Sequence, residues 1–345
     1  MDILVLAVCA LISGAEGWEA IESFGRSKLD WLRRFIPLAN GVPSHDCIAY
    51  VISRLSPQGF QDCFVRWARG VREQTQGEVI AIDGKTARGS QNRKNGKNPL
   101  HMVSAWAAAN RLVLGQEATG EKSNEITAIP KLLALLELHG CIVTIDAMGC
   151  QRDIAGQIID QGGDYVLGLK GNQGSLHDAV DDYFTTAQGA GFRCVKHSYT
   201  EEIDKGHGRL EIRRYWITDD LCTLPRTELW KGLCSIGMVE RECVEGERRS
   251  MERRYFIGSI AADAKLFAHA VRGHWGIENG LHWRMDVVLR EDASRIRKGT
   301  APAIMTSIRH LILNLFQKEP SKLSLNMKRL KAAWDDDFRY KVLFS

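Results

Sequence analysis

The chain has 345 residues, 44% of them hydrophobic and 26% charged, an ordinary globular composition that excludes a disordered or collagen-like protein. Lys and Arg number 46 against 42 Asp and Glu, a formal charge of +4 that permits a polyanionic partner without requiring one. Nine cysteines with no Cys-x-x-Cys pair argue against a secreted disulfide framework and a thiolate zinc site, so reduced, mostly packed thiols are expected.

From Met1 to about Thr75 the apolar spacing is helical, with breaks at Gly14, Pro37, Pro43 and Pro57, predicting a helical N-terminal domain over 1–75. Its apolar run Ile3 to Ile12 is too short to cross a bilayer and has no Lys or Arg before it to make a signal peptide. A buried helix and a cytoplasmic protein without a membrane partner are expected. The period then changes, and Val79 to Ile82, His101 to Ala108 and Arg111 to Ala118 read as a three-strand meander. Next come a helix from Glu125 to His139 capped by Ser123 or Asn124, a strand from Cys141 to Ile145, a helix from Arg152 to Gln161 and a strand from Tyr165 to Leu169. Such alternation implies an α/β fold with a partly parallel sheet. After a helix from Ser175 to Ala187, the stretch 189–262 reads as a β-rich insertion that interrupts this domain. Helices resume at Ala264, so the core divides into 76–188 and 263–318, followed by a tail, 319–345, with a short helix.

Two fully apolar strand runs each end in an aspartate, Val79-Ile-Ala-Ile-Asp83 and Cys141-Ile-Val-Thr-Ile-Asp146. Strands this apolar are buried on both faces, which places each carboxylate at a strand's C-terminal end, where open α/β sheets hold ligands. A plain Asp83-Gly84 turn is the competing explanation. Neighbouring carboxylates repel unless a cation lies between them, so a pair implies a divalent metal such as Mg²⁺. A third acid is expected from the late helices, where Glu278, Asp286, Glu291 and Asp292 are all available. Glu278 stands four residues after His274 and shares its helix face.

Gly84-Lys85-Thr86 lacks the earlier glycine of a P-loop, and the histidines form no His-Glu-x-x-His pair, which disfavours an NTPase and a structural zinc. Lys85, Arg88, Arg93, Lys94 and Lys97 fall together with no acid among them, as contacts to a phosphate backbone would require, or as a solvated loop would allow. Lys170, at the end of a third strand, is a candidate phosphate contact. His207 and Arg209, in a glycine-bracketed turn of the insertion, are candidate DNA contacts. Arg248, Arg249, Arg253 and Arg254 alternate with Glu247 and Glu252 and read as a salt-bridged hairpin.

In order along the chain, Ile82-Asp-Gly-Lys85, Gly120-Glu-Lys-Ser-Asn-Glu125, Thr144-Ile-Asp146-Ala-Met, Leu169-Lys-Gly-Asn-Gln173, Gly206-His-Gly-Arg209 and His274-Trp-Gly-Ile-Glu278-Asn resemble the bacterial DDE insertion-sequence transposases of the H-repeat-associated group. Gly14 to Ile21 and Pro43 to Asp46 resemble the helical domain that precedes the catalytic core in that group. The resemblance implies an RNase H-like core, with Asp83, Asp146 and Glu278 as catalytic, metal-binding acids for two Mg²⁺ ions, Mn²⁺ being able to substitute. It also implies double-stranded DNA as partner, at element ends and target, and a homodimer on that DNA. Where wider relatives carry Tyr, Arg and Lys around the glutamate, this chain has Val271, His274 and Met285, with Arg272 and Arg284 as possible substitutes. Compared with the family the chain is expected to be short at its N-terminus, which keeps an inactive remnant among the functional readings. The others are an active transposase cleaving and transferring strands, a catalytically silent DNA-binding protein, and an RNase H-like nuclease without a joining step.

Overall fold

A computed structural model describes residues 1–73, 75–91, 98–120, 124–193, 195–206 and 208–344. Helices α1 (Asp2–Ile12), α2 (Trp18–Ser27), α3 (Leu29–Leu32), α4 (His45–Ile52) and α5 (Pro57–Val71) come first. Ser44 and Ser56 cap α4 and α5 by accepting the N–H groups of Cys47 and Gly59, and Pro57 fits the first turn, where no N–H is needed. The apolar segment near the N-terminus is α1, with Leu6, Ala7 and Cys9 to Ile12 buried. Among the described residues no helix is long and apolar enough to cross a membrane.

Strands β1 (Val79–Ala87), β2 (Leu100–Ala107) and β3 (Leu112–Ala118) follow, then α6 (Glu125–Leu133), β4 (Ile142–Ile145), α7 (Arg152–Asp160), β5 (Asp164–Leu169) and α8 (Gly174–Gly189). The hairpin-linked β6 (Ser198–Gly206), β7 (Arg209–Thr218), β8 (Ser235–Glu245) and β9 (Arg248–Gly258) precede α9 (Ala264–Ile277) and α10 (Trp283–Val287). Three helices close the chain, α11 (Ala301–Lys318), α12 (Leu325–Trp334) and α13 (Asp336–Phe344). Helix α6 stops at Leu133, short of the expected His139. Pro130 removes one of its N–H donors, and Leu135 and Leu136 turn back onto Leu132 and Leu133 in tighter i to i+3 bonds.

Among the described residues the nine strands form one mixed sheet, ordered β3-β2-β1-β4-β5-β9-β8-β7-β6. Only β1/β4 and β4/β5 are parallel. The strands of 189–262 prolong the sheet, because β9 pairs antiparallel with β5, from Val166↔Gly258 to Leu169↔Tyr255, satisfying backbone groups that an edge strand would leave open. One expectation needs correcting. Asp83-Gly84 is neither a turn nor a strand end, since β1 runs on to Ala87. Its antiparallel partner β2 holds it as far as Ala87↔Leu100, after the parallel partner β4 has stopped.

Alternation along β1 separates two cores. Ile80 and Ile82 join α6, α7 and α8 on one face, whereas Val79 packs with α9 on the other. Ala81 and Trp106 belong to a third cluster, in which α1, α2, α4 and α5 share buried contacts with α11, α12 and α13. The helices of the first 71 residues are therefore packed into the same body as the C-terminal ones. The thiols are less packed than expected: Cys9, Cys141 and Cys150 are buried, but Cys47, Cys63, Cys222 and Cys234 are exposed.

Candidate active site

Asp83 and Lys85, two apart on β1, share the face beneath the helices of 264–287. Across the parallel ladder Ile82 is level with Ile145, the last residue of β4, so Asp146 leaves the sheet at the height of Asp83. Asp146 then caps the turn Ala147–Gly149, its Oδ1 accepting the N–H groups of Met148 at 3.0 Å and Gly149 at 3.4 Å.

A further acid arrives from above. Helix α9 and the turn after it sit so close to the sheet that a Cβ on Gly273 would lie 2.7 Å from Val79 Cγ1, and one on Gly280 would lie 2.6 Å from the Trp106 ring. Between α9 and α10 the chain makes a π-helical turn, Glu278–His282, a wide turn frequent at functional sites. His282 Nδ1 lies 3.5 Å from Asp83 Oδ2 and 3.6 Å from Glu278 Oε2. Among the described residues, ligand atoms of Asp83, Glu278 and His282 fall within 4.8 Å of one another. Asp146 is not in that set, although its charge reaches Asp83. The other late acids lie elsewhere: Asp286, Glu291 and Asp292 surround Lys85.

Burial pushes the Asp83 carboxyl up to about 7. The Gly84 N–H opposes that rise, and the negative charges of Glu278, Glu125 and Asp146 add to it. Burial also pulls the imidazoles of His282 and His274 below their usual range. His282 Nε2 is buried without a hydrogen-bond partner among the described residues. His274 Nδ1 sits 3.1 Å from Thr144 Oγ1. Among the described residues, no Lys or Arg stands within ion-pair distance of Asp83 or Glu278, whereas His282 does. Clustered carboxylates with uncompensated charge and a neutral imidazole make a donor set that suits a divalent cation.

Two residues of this site escaped the sequence reading. His282 could have been found from its i+4 spacing to Glu278. Glu125 was seen only as part of a motif. Its Oε1 lies 2.7 Å from His101 Nε2, His101 Nδ1 lies 2.8 Å from Thr86 Oγ1, and the carboxylate occupies space that a side chain on Gly84 would take.

The expected basic contacts divide. Lys85 is largely buried and held by acids, while Arg88 is exposed and approaches Asp292 at 3.7 Å. Arg93, Lys94, Lys97 and His207 lie outside the described residues. Lys170, exposed at the end of β5, lines a cavity of about 180 Å³ with Asp146, His274, Arg254 and Trp275. A second groove, of about 230 Å³, shares Arg254 and Trp275 with that cavity and adds Arg209, Arg213, Arg241 and Arg272. Three of these arginines, Arg209, Arg213 and Arg241, pair with the one carboxylate of Glu211, which leaves positive charge in excess. The hairpin β8/β9 is salt-bridged as expected, Arg249 to Glu242 and Arg253 to Glu240. Met285 and Val271 are buried. Arg272 lines the groove, whereas burial and the neighbouring Arg111 hold Arg284 below its ordinary range.

Residues 74–315 match the family described as Transposase DDE domain, and residues 1–68 match the family described as DDE_Tnp_1-associated. The chain is 42% identical over 352 residues to the "H repeat-associated putative transposase YhhI" of Escherichia coli K12, covering 99% of this chain and 91% of that protein. It is 44% identical over 351 residues to the "Putative transposase YncI" of Escherichia coli O157:H7, covering 100% of this chain and 89% of that protein. A shorter relative, the "Inactive transposase YbfQ" of Escherichia coli K12, is 57% identical over 53 residues, 15% of this chain and 63% of that protein. The ordered motifs, the mixed sheet carrying Asp83 and Asp146, and these matches over almost the whole length agree, and the chain belongs to the DDE transposases, in the H-repeat-associated group.

Proposed function

We propose that the chain cleaves DNA at the ends of an insertion sequence and joins the freed strand to target DNA, using Mg²⁺ held by Asp83, Asp146 and Glu278, with Mn²⁺ able to substitute. The observation that carries this reading is the convergence of Asp83, Glu278 and His282 at the height where β4 delivers Asp146. Two bound ions would activate an attacking water or 3′-OH and stabilise the leaving oxygen. The residues of the chain supply the rest. Asp83 and Glu278 present oxygens from β1 and from the turn after α9, which the close packing of Gly273 on Val79 and of Gly280 on Trp106 holds against the sheet. The turn that Asp146 caps fixes one of its oxygens and leaves Oδ2 available. His282, held neutral by burial, points Nδ1 at both carboxylates, so it can serve as a further donor. Lys170 and Arg254 line the cavity beside Asp146, where a phosphodiester would meet positive charge.

The same reading takes 76–188 and 263–318 as an RNase H-like core, 189–262 as its β-rich insertion and 1–75 as a helical transposase-associated domain. Two copies act together on paired DNA ends in the cytoplasm. The test is a labelled duplex carrying the element end, incubated with purified protein and Mg²⁺ or Mn²⁺. Nicked ends with free 3′-OH groups, and joined products with a target duplex, are expected, and both disappear in Asp83→Asn and Asp146→Asn. Cleavage retained in both variants refutes the site. Cleavage without joining makes the protein a nuclease, and metal-independent, salt-sensitive DNA binding with no cleavage makes it a silent DNA-binding remnant.

A further inference from the structure

Lys85 has the position of a phosphate contact in the sequence and the surroundings of a rivet in the structure. Its Nζ lies 2.7 Å from Asp286 Oδ1, 3.1 Å from Glu291 Oε2 and 3.7 Å from Asp292 Oδ1. The side chain is only 13% exposed. Burial works against its charge, yet the carboxylates of Glu291 and Asp286 more than offset that and hold the ammonium above its ordinary range. One ammonium among three acids offers no net positive charge to a phosphate.

The acids it holds follow directly on the helix that carries Glu278. Glu278, His282 and Asp286 recur every four residues and so form one stripe on the helical chain. Asp83 and Lys85, on one face of β1, meet that stripe at two points: Asp83 faces His282, and Lys85 grips Asp286. Glu291 extends the tie to α11, since its Oε1 accepts from Thr306 Oγ1 at 2.7 Å in a buried contact. Two more bonds fasten the end of β1 to the same segment, Arg88 N–H to Asp292 Oδ1 at 3.1 Å and Arg297 Nε to the Gly89 carbonyl at 3.0 Å.

We propose that Lys85 is a positioning residue of the metal centre, and not a DNA contact: it fixes the separation between the strand bearing Asp83 and the helix bearing Glu278. The inference rests on the metal-dependent reading above. Partners that orient metal ligands without touching the metal change affinity by about 10- to 100-fold when removed, and a loss of that size is expected here.

The experiment compares the full chain with Lys85→Gln, Lys85→Arg and Asp286→Asn in three measurements: Mn²⁺ affinity by calorimetry, hydrogen exchange of residues 278–287, and the salt dependence of metal-free DNA binding. Lys85→Gln and Asp286→Asn should each weaken Mn²⁺ binding by about 10-fold or more and raise exchange in 278–287. Lys85→Arg, which keeps the charge, should recover part of both, and the salt slope should be unchanged in all three. A salt slope reduced by about one, as loss of a phosphate contact gives, with unaltered Mn²⁺ affinity overturns the proposal. So does unaltered exchange in Lys85→Gln and Asp286→Asn. If Lys85→Gln does not fold, Asp286→Asn decides the matter by the same two readouts, because Lys85 keeps its pair with Glu291. If the parent chain binds no Mn²⁺ but exchange still rises in the variants, the tether stands and the metal-dependent reading is what fails.

Discussion

Asp83 should make the metal-free protein less stable at neutral pH, and the size of that cost can be worked out. Its carboxyl is raised from 3.8 to about 7 by burial and by nearby acids, roughly three pH units at about 1.4 kcal/mol each. Asp83→Asn removes the charge while keeping the shape. The folded protein takes up a proton on Asp83 between pH 3.8 and 7 that the unfolded chain does not. This stabilising contribution is therefore complete below the unfolded value and is lost as pH rises through the folded one. Between pH 5 and pH 8, in chelator, wild type should lose about 2–3 kcal/mol relative to Asp83→Asn as an upper bound. Urea melts of both proteins at the two pH values measure this double difference, in which titrating groups that do not interact with Asp83 cancel. Adding Mn²⁺ at pH 8 should raise the midpoint of wild type and not that of the variant. A difference that does not vary with pH, or that favours wild type more at pH 8, refutes the assignment of Asp83 as a buried, charge-crowded acid.

His282→Ala should weaken Mn²⁺ binding more than Mg²⁺ binding, because a nitrogen donor suits the first ion better than the second. Equal losses in calorimetry would show that the imidazole only orients Glu278. Gly280→Ala places a methyl group 2.6 Å from the Trp106 ring and should cost about 1–3 kcal/mol in a urea melt, whereas Gly171→Ala, with no atom within 4 Å of the new methyl, should not suffer that clash. Thr306→Val leaves the buried Glu291 Oε1 without its hydroxyl donor and should destabilise by about 1–3 kcal/mol, while DNA binding without metal is unchanged. A thiol reagent under native conditions should label Cys47 and Cys63 quickly and Cys9 and Cys150 slowly, since the first two are exposed and the others are buried; uniform labelling would show that the cores open on the timescale of the assay.

Local patterning made most of the elements readable. Alternating and fully apolar runs marked β1 through β5 because a strand's side chains have period two, and glycines and prolines marked the breaks between helices. The family could be recognised for a related reason, since its motifs are short runs whose spacing survives in one dimension. Tertiary pairing settled what those patterns left open. Whether Val79-Ile-Ala-Ile-Asp83 ends or continues depends on β2, which begins at Leu100 and supplies hydrogen bonds as far as Ala87. Whether 189–262 stands apart from the sheet or prolongs it depends on β9 reaching β5.

The site divides in the same way. Asp83, Asp146 and Glu278 were legible in motifs; side-chain chemistry alone left Glu278, Asp286, Glu291 and Asp292 as alternatives, among which the family resemblance pointed to Glu278. Packing at Gly273 and Gly280 sends Glu278 and His282 to Asp83 and sends Asp286, Glu291 and Asp292 to Lys85. The basic run after Asp83 had no acid among its neighbours in sequence, and its first member acquired three from residues some 200 positions away. By itself the sequence determined most of the element types and the family, because each is written in local spacing and side-chain chemistry. Which charges meet was decided by the tertiary structure alone, because electrostatic pairing depends on distance in space, and the fold sets that distance through contacts between segments far apart in the chain.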